Sequence, residues 1–170
     1  MLRLKDSILN LVLMRMAHGY EEQICLYEKI YELALKQSEC LSSEEVNTDK
    51  LLELINERQE LIATLEEANN EMASLKDEVR ETLKMGQFNL ARIKAEVPGP
   101  GAESLEGAFF MLSRQLARIK ELDSLNVKDL HQHIRGTSNQ MARLQKTKRA
   151  HKLYQTPPQS AEGMLVDYSK

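Results

Sequence analysis

With 170 residues, the chain has the length of one domain, and its composition favours straight-chain helix formers such as Leu, Glu, Lys and Gln over strand formers. An apolar share of 42% argues against a disordered chain, and no stretch approaches the roughly 20 apolar residues of a membrane span. The net charge of −3 is small, and the first residues show neither the unbroken apolar run nor the cleavage site of a signal peptide, so we predict no targeting segment and no membrane insertion.

The first predicted helix runs from about Lys5 to about Cys40. Its apolar residues follow one another at steps of three and four, which is the spacing of a heptad seam. The seam consists of Leu9, Leu13, Met16, Tyr20, Ile24, Tyr27, Tyr31 and Ala34. Cys25 and Cys40 both fall on this helix, and we predict that they are free thiols in a reducing cytoplasm.

The second predicted helix follows a short acidic turn, takes Thr48 as its N-cap and runs from Asp49 to about Met85. Gly86 either ends this helix or only weakens it, because residues 87–97 still carry a helical apolar pattern. The seam consists of Leu51, Ile55, Arg58, Ile62, Leu65, Met72, Leu75, Val79 and Leu83.

The third predicted helix starts near residues 102–104 and continues to about Lys152. It follows Pro98-Gly99-Pro100-Gly101, a sequence that is predicted to stop any helix. The seam begins with Leu105, Phe109, Leu112, Leu116 and Ile119, passes a polar patch at Asp123 and Asn126, and resumes at Leu130, Ile134, Thr137, Met141 and Leu144.

Three long helices joined by short connections predict an all-α, elongated antiparallel three-helix bundle with coiled-coil-like packing. Residues 1–152 are predicted to form this single domain, and residues 153–170 a flexible tail with a Pro-rich spacer. The second helix alone would be roughly 55 Å long, which is why the predicted bundle is elongated.

The C-terminal part of the third helix is the predicted binding surface. At roughly 50 residues this helix is longer than the first, so part of its seam is predicted to lack an intramolecular partner. An uncovered apolar stripe marks a binding site, and an amphipathic helix of another protein can lie along it. The predicted partner-binding residues are Leu130, Ile134, Met141 and Leu144.

Charge is distributed unevenly along the chain. Residues 44–81 contain 12 acidic and 4 basic residues, whereas residues 114–152 contain 10 basic and 3 acidic residues. The favoured interpretation is an acidic helix that lies beside a basic one with complementary flanks. The alternative is a nucleic-acid-binding surface, but the basic stretch lacks interleaved aromatic residues, so no nucleic-acid partner is predicted.

The sequence contains no motif of catalytic, cofactor or metal chemistry, and we predict a protein that is not an enzyme, with no catalytic residue, metal or cofactor. His131 and His133 point to different sides of a helix and cannot share a metal ion. Phosphotransfer through one of these two histidines is kept as a distant alternative.

Three internal segments and the C-terminal end are typical of one known family. They are YEKIYEL at residues 27–33, LLELINERQELI at residues 51–62, LDSLN at residues 122–126 and the final residues GMLVDYSK from Gly163 onward. In these segments the chain resembles the FlgN type of flagellar export chaperone, a family of small, helical, cytoplasmic proteins.

The resemblance implies a chaperone that binds amphipathic C-terminal segments of hook–filament junction proteins, prevents their premature assembly and delivers them to the export gate. The C-terminal half of the third helix would hold the client, and Tyr154 and Tyr168 would contact the export-gate protein. The alternative is a structural coiled-coil adaptor or a self-associating helical bundle without secretion clients. A homodimer is left open.

Overall fold

The computed structural model describes the backbone of residues 2–155 and the side chains of residues 6–151, and over this range it is helical without any strand. The helices are α1 (Leu2–Leu41), α2 (Thr48–Thr82), α3 (Leu90–Glu96) and α4 (Pro100–Gln155). The predicted all-α class is therefore confirmed. None of the described helices is both long and apolar enough to cross a membrane.

The chain divides into two units, Met1–Leu130 and His131–Lys170. The first unit contains α1, α2, α3 and the part of α4 up to Leu130. In the second unit the structure describes residues 131–155, which are the rest of α4. The predicted boundary between a domain and a tail at residues 152 and 153 stays a prediction, as does the coiled-coil packing.

Side-chain contacts between α1 and α2 show how these two helices run. Arg15, early in α1, donates to a carboxylate oxygen of Glu71, late in α2, at 2.8 Å. Arg58, early in α2, donates to the amide oxygen of Gln37, late in α1, at 3.3 Å. Contacting positions rise along one helix while they fall along the other, so α1 and α2 are antiparallel.

Contacts between α1 and α4 run in the same direction along both helices. The Gly101 N–H donates to the Asn10 side-chain oxygen at 3.1 Å, and the Asn126 amide donates to the Ala34 carbonyl at 2.9 Å. Asn10 thereby satisfies one of the unpaired N–H groups in the first turn of α4. The predicted start of this helix, near residues 102–104, is wrong by at least two residues, since α4 begins at Pro100. Proline is well suited to the first helical position, because its backbone angle φ already has a helical value and it has no N–H group that needs a partner.

Both ends of α2 differ from their predictions. The side chain of Asn47, rather than that of Thr48, accepts a hydrogen bond from a backbone N–H of the first turn, at 2.9 Å. α2 ends at Thr82, and Lys84 adopts a left-handed conformation with a φ of 51°. The helix therefore ends before Gly86, and the helical pattern of residues 87–97 belongs to the separate helix α3.

Two clusters of buried apolar side chains hold the first unit together. The larger cluster lies towards the start of α1 and consists of Leu9, Leu13, Met16, Ala17, Tyr20, Met72, Leu75, Val79, Met85, Ile93, Val97, Ala102, Leu105 and Ala108. The smaller cluster consists of Ile30, Leu65 and Ile119. Further buried apolar side chains near the end of α1 and the start of α2 are Leu33, Ala34, Leu41, Leu51 and Leu54.

The close approach of α1 to the first turn of α4 requires glycine at position 101. A Cβ atom at Gly101 would lie 2.5 Å from the backbone oxygen of Asn10, whereas a Cβ at Gly107, also in α4, would meet nothing within 4 Å. We expect Gly101→Ala to lower the free energy of unfolding by about 1–3 kcal/mol, because the two backbones must separate. We expect Gly107→Ala to raise it by about 0.5–1 kcal/mol, because alanine is the better helix former.

Chemical unfolding followed by far-UV circular dichroism measures both changes. Equal stability of the two alanine variants would contradict the close packing of the first turn of α4 against Asn10.

Candidate partner-binding surfaces

The side chains that were predicted to bind a client are all exposed. Their exposed fractions are 37% for Leu130, 56% for Ile134, 60% for Met141 and 61% for Leu144. Leu130 is the last residue of the first unit, and the other three belong to the second unit. Every described side chain from residue 134 to residue 151 is exposed, so no described residue covers these three. We call Ile134, Met141 and Leu144 the C-terminal seam.

The helix that carries the C-terminal seam is strongly basic. Residues 131–155 contain six Lys and Arg residues and no Asp or Glu. At 3.6 residues per turn, Arg135, Arg143 and Lys146 lie on the side of the helix away from the seam. The second unit thus presents an amphipathic helix with a narrow apolar stripe and a cationic back.

A second apolar surface lies within the first unit, where the end of α1, the first half of α2 and the middle of α4 enclose a groove of about 300 Å³. We call it the α2–α4 groove. Its apolar walls are Leu41, Leu51, Ile55, Ile62, Val127 and Leu130. Three of these wall residues are exposed, Ile55 by 37%, Val127 by 54% and Leu130 by 37%. A partner side chain can therefore reach the walls from solvent.

The floor of the α2–α4 groove is polar. The Arg58 guanidinium donates to both carboxylate oxygens of Asp123, at 2.7 and 2.5 Å, in a two-point ion pair. Asn126 is 7% exposed, and its side-chain nitrogen donates a hydrogen bond to the Ala34 carbonyl. Its side-chain oxygen has no hydrogen-bond partner among the described residues. Arg58 Nε likewise lacks a described partner. The groove therefore combines apolar walls with an incompletely satisfied polar floor.

The ion pair that joins α2 to α4 does not follow the predicted charge pattern. Its base, Arg58, lies on the acid-rich helix, and its acid, Asp123, lies on the base-rich one. None of the five cations from Arg135 to Arg149 forms an ion pair with another described residue.

Other residues singled out in the sequence do not form a site. No three His, Cys, Asp or Glu side chains of the described residues come together as metal ligands, and Cys25 and Cys40 are free. Tyr154 lies in the last turn of α4, where the structure describes only the backbone, and Tyr168 lies outside the described residues.

Tyr27 and Lys94 have shifted pKa values, and neither residue lies in the seam or the groove. Burial raises the pKa of the Tyr27 hydroxyl. A hydrogen bond from Lys94 to the Glu106 carboxylate, together with the negative charge of Glu106, raises the pKa of the Lys94 amine.

The sequence did not predict the α2–α4 groove. Its two signals were the polar patch of Asp123 and Asn126 and the presence of Arg58 at an apolar seam position. Both indicate an interrupted core, but neither shows that Ile55 and Val127 stand apart with an open space between them.

Comparison with known proteins gives one match. A family model described as FlgN protein matches residues 13–162 of the chain. No curated protein and no solved structure matches it.

Proposed function

Because the chain belongs to the FlgN family, which is a family of flagellar export chaperones rather than of enzymes, we propose that it escorts hook–filament junction proteins to the type III secretion apparatus. In this role it binds the amphipathic C-terminal segments of these proteins in the cytoplasm. Binding prevents their premature assembly, and the complex is then delivered to the export gate.

The observation that carries the proposal is the exposure of the C-terminal seam. Ile134, Met141 and Leu144 are each more than half exposed on a helix without a described cover. Leaving such side chains in water is unfavourable, by about 25 cal/mol for each Å² of apolar surface that a partner could bury. An amphipathic client helix can place its own apolar residues against this stripe, and Met141 suits clients of different shape because its side chain is flexible.

Delivery to the export gate is assigned to the C-terminal end of the chain. Tyr154 and Tyr168 are the proposed gate contacts, since each can bury an aromatic ring while its hydroxyl keeps a polar partner. This separates the two tasks, with the client on the seam and the gate protein on the residues that follow it.

The binding of a purified C-terminal segment of a junction protein tests the client site. We expect Ile134→Glu combined with Met141→Glu to weaken binding at least about a hundredfold, because two apolar contacts are lost and two carboxylates are placed in the interface. The matched control is Asn139→Glu combined with Ala142→Glu, which adds the same charge to exposed positions on the other side of the helix. Isothermal titration calorimetry measures both affinities.

Equal affinity of the two double variants would show that the client does not use the seam. A chain that binds no junction segment at all would instead favour a structural helical bundle without secretion clients.

A further inference from the structure

The helix of the second unit combines an exposed apolar stripe with an unbalanced positive charge. Residues 131–155 contain six Lys and Arg residues and no Asp or Glu, and every described side chain from residue 134 to residue 151 is exposed. The C-terminal seam, with Ile134, Met141 and Leu144, runs along one side of this helix. A basic amphipathic helix of this kind fits a partner that offers both an apolar interior and a negatively charged surface.

The cations surround the helix instead of lining one contact face. At 3.6 residues per turn, Arg135, Arg143 and Lys146 lie opposite the seam, and Arg149 lies beside it. Lys148 lies on the seam side, about one turn beyond the last seam residue. None of these five cations forms an ion pair with another described residue. Their positive charge therefore acts in all directions around the apolar stripe.

This arrangement distinguishes among three kinds of partner. A nucleic acid would neutralise the cations but would leave the apolar seam in water. An acidic helix lying on the seam would cover the apolar side chains but would leave the cations on the far side without a countercharge. An anionic lipid surface satisfies both, because a helix at the interface buries its apolar stripe by about 5–10 Å and has headgroups along both flanks. The surface potential also reaches the far side, since the Debye length of about 10 Å at about 0.1 M salt is close to the diameter of a helix.

We propose that residues 131–155 bind the surface of membranes that contain anionic phospholipids, with the C-terminal seam towards the acyl chains and the cations among the headgroups. The helix lies along the surface, and none of the described helices is long and apolar enough to cross it. The first unit, residues 1–130, contains 24 acidic and 16 basic residues, so an anionic surface does not attract it. The affinity for lipid therefore belongs to the second unit.

One consequence of lipid binding rests on the proposed function. If secreted segments bind the seam, lipid and client compete for the same side chains. The client-free protein would then be the membrane-bound form, and client binding would release it from the lipid surface.

Flotation of the full chain with lipid vesicles, without any client, tests the proposal. The probe is vesicles of phosphatidylglycerol mixed with phosphatidylcholine, and vesicles of phosphatidylcholine alone are the comparison. We expect at least about tenfold tighter binding to the anionic vesicles, because each cation near such a surface contributes a factor of about five. We also expect this binding to weaken about tenfold or more between about 50 mM and about 500 mM NaCl.

Substitutions of cations test the electrostatic part. Arg143→Gln combined with Lys146→Gln should weaken binding to anionic vesicles about tenfold. Lys29→Gln combined with Lys36→Gln removes the same charge at exposed positions of the first unit and should change the affinity by less than about twofold.

Substitutions in the seam test the apolar part. Ile134→Ser combined with Met141→Ser keeps the charge and should weaken binding to anionic vesicles about tenfold, because two apolar side chains no longer enter the interface. Asn139→Ser combined with Ala142→Ser, at exposed positions outside the seam, is the matched control and should bind as the original chain does. Circular dichroism verifies that each variant is as helical as the original chain.

Two results would overturn the proposal. The first is equal binding to both kinds of vesicle, or binding to neither. The second is a seam variant that binds anionic vesicles as tightly as the original chain, which would indicate attraction by charge alone, as for a nucleic acid or an acidic protein. Because no client is present, neither result bears on whether the seam binds secreted segments. A junction-protein segment that binds the chain but leaves it on the vesicles would overturn only the competition for the seam.

Discussion

Asp123→Asn is expected to lower the free energy of unfolding by about 3 kcal/mol, because it removes the countercharge of Arg58 without changing the shape of the site. The Arg58 side chain is only 18% exposed, and its guanidinium donates to both carboxylate oxygens of Asp123. An unpaired guanidinium at this depth cannot recover its full hydration. The Asp123 side chain is 35% exposed, so the expected loss is at the lower end for a buried pair.

Two comparisons separate the effect of the buried charge from the effect of losing any ion pair. Glu71→Gln breaks an ion pair at the surface, in which the Arg15 side chain is 66% exposed and the Glu71 side chain is 57% exposed. This substitution should change the free energy of unfolding by less than about 1 kcal/mol. Replacing both buried partners, Arg58→Met with Asp123→Leu, should recover most of the loss, since apolar groups need no countercharge.

Thermal unfolding followed by circular dichroism measures these differences, and for a chain of this length about 3 kcal/mol corresponds to a decrease of roughly 6–12 °C in the unfolding temperature. If Asp123→Asn were no more harmful than Glu71→Gln, solvent would be screening the groove floor as effectively as the surface.

The sequence predicted the long helices well because their apolar spacing is local information. α1 and α4 extend only a few residues beyond the predicted limits, and most of the predicted seam in α1 is buried, including Leu13 and Met16. The exposure expected for the C-terminal seam also agrees with the structure, since Ile134 and Met141 are largely accessible. Whether these residues bind a client stays a prediction.

Other features depended on chain geometry that residue spacing does not contain. The end of α2 is fixed by the left-handed conformation of Lys84, although glycine, here Gly86, is the residue that such a position favours. The α2–α4 groove depends on the distance between two helices, and no periodicity in either sequence reports that distance. The sequence showed which faces are apolar, but it could not show that the walls Ile55 and Val127 remain exposed.

A substitution at Gln23 is the second change that we expect to have a large effect, and it should raise the free energy of unfolding instead of lowering it. This side chain is 1% exposed and lies on α1 between the two apolar clusters, and neither its amide nitrogen nor its amide oxygen has a described partner. A buried polar group without a hydrogen bond costs about 1–3 kcal/mol. We therefore expect Gln23→Met, which has similar length and volume, to raise the free energy of unfolding by about 2–4 kcal/mol.

A second buried glutamine provides the matched control. Gln115 is 6% exposed, but its amide donates to the Tyr27 carbonyl at 3.4 Å and its oxygen accepts from Arg118 at 3.1 Å. Gln115→Met loses these two hydrogen bonds, so it should not stabilise the protein. Urea unfolding of the two methionine variants distinguishes the cases. Similar stability changes at both positions would mean that hydrogen bonding does not set the cost of a buried glutamine here. A stabilised Gln23→Met variant with unchanged client affinity would show that the buried Gln23 side chain is not needed for binding at the C-terminal seam.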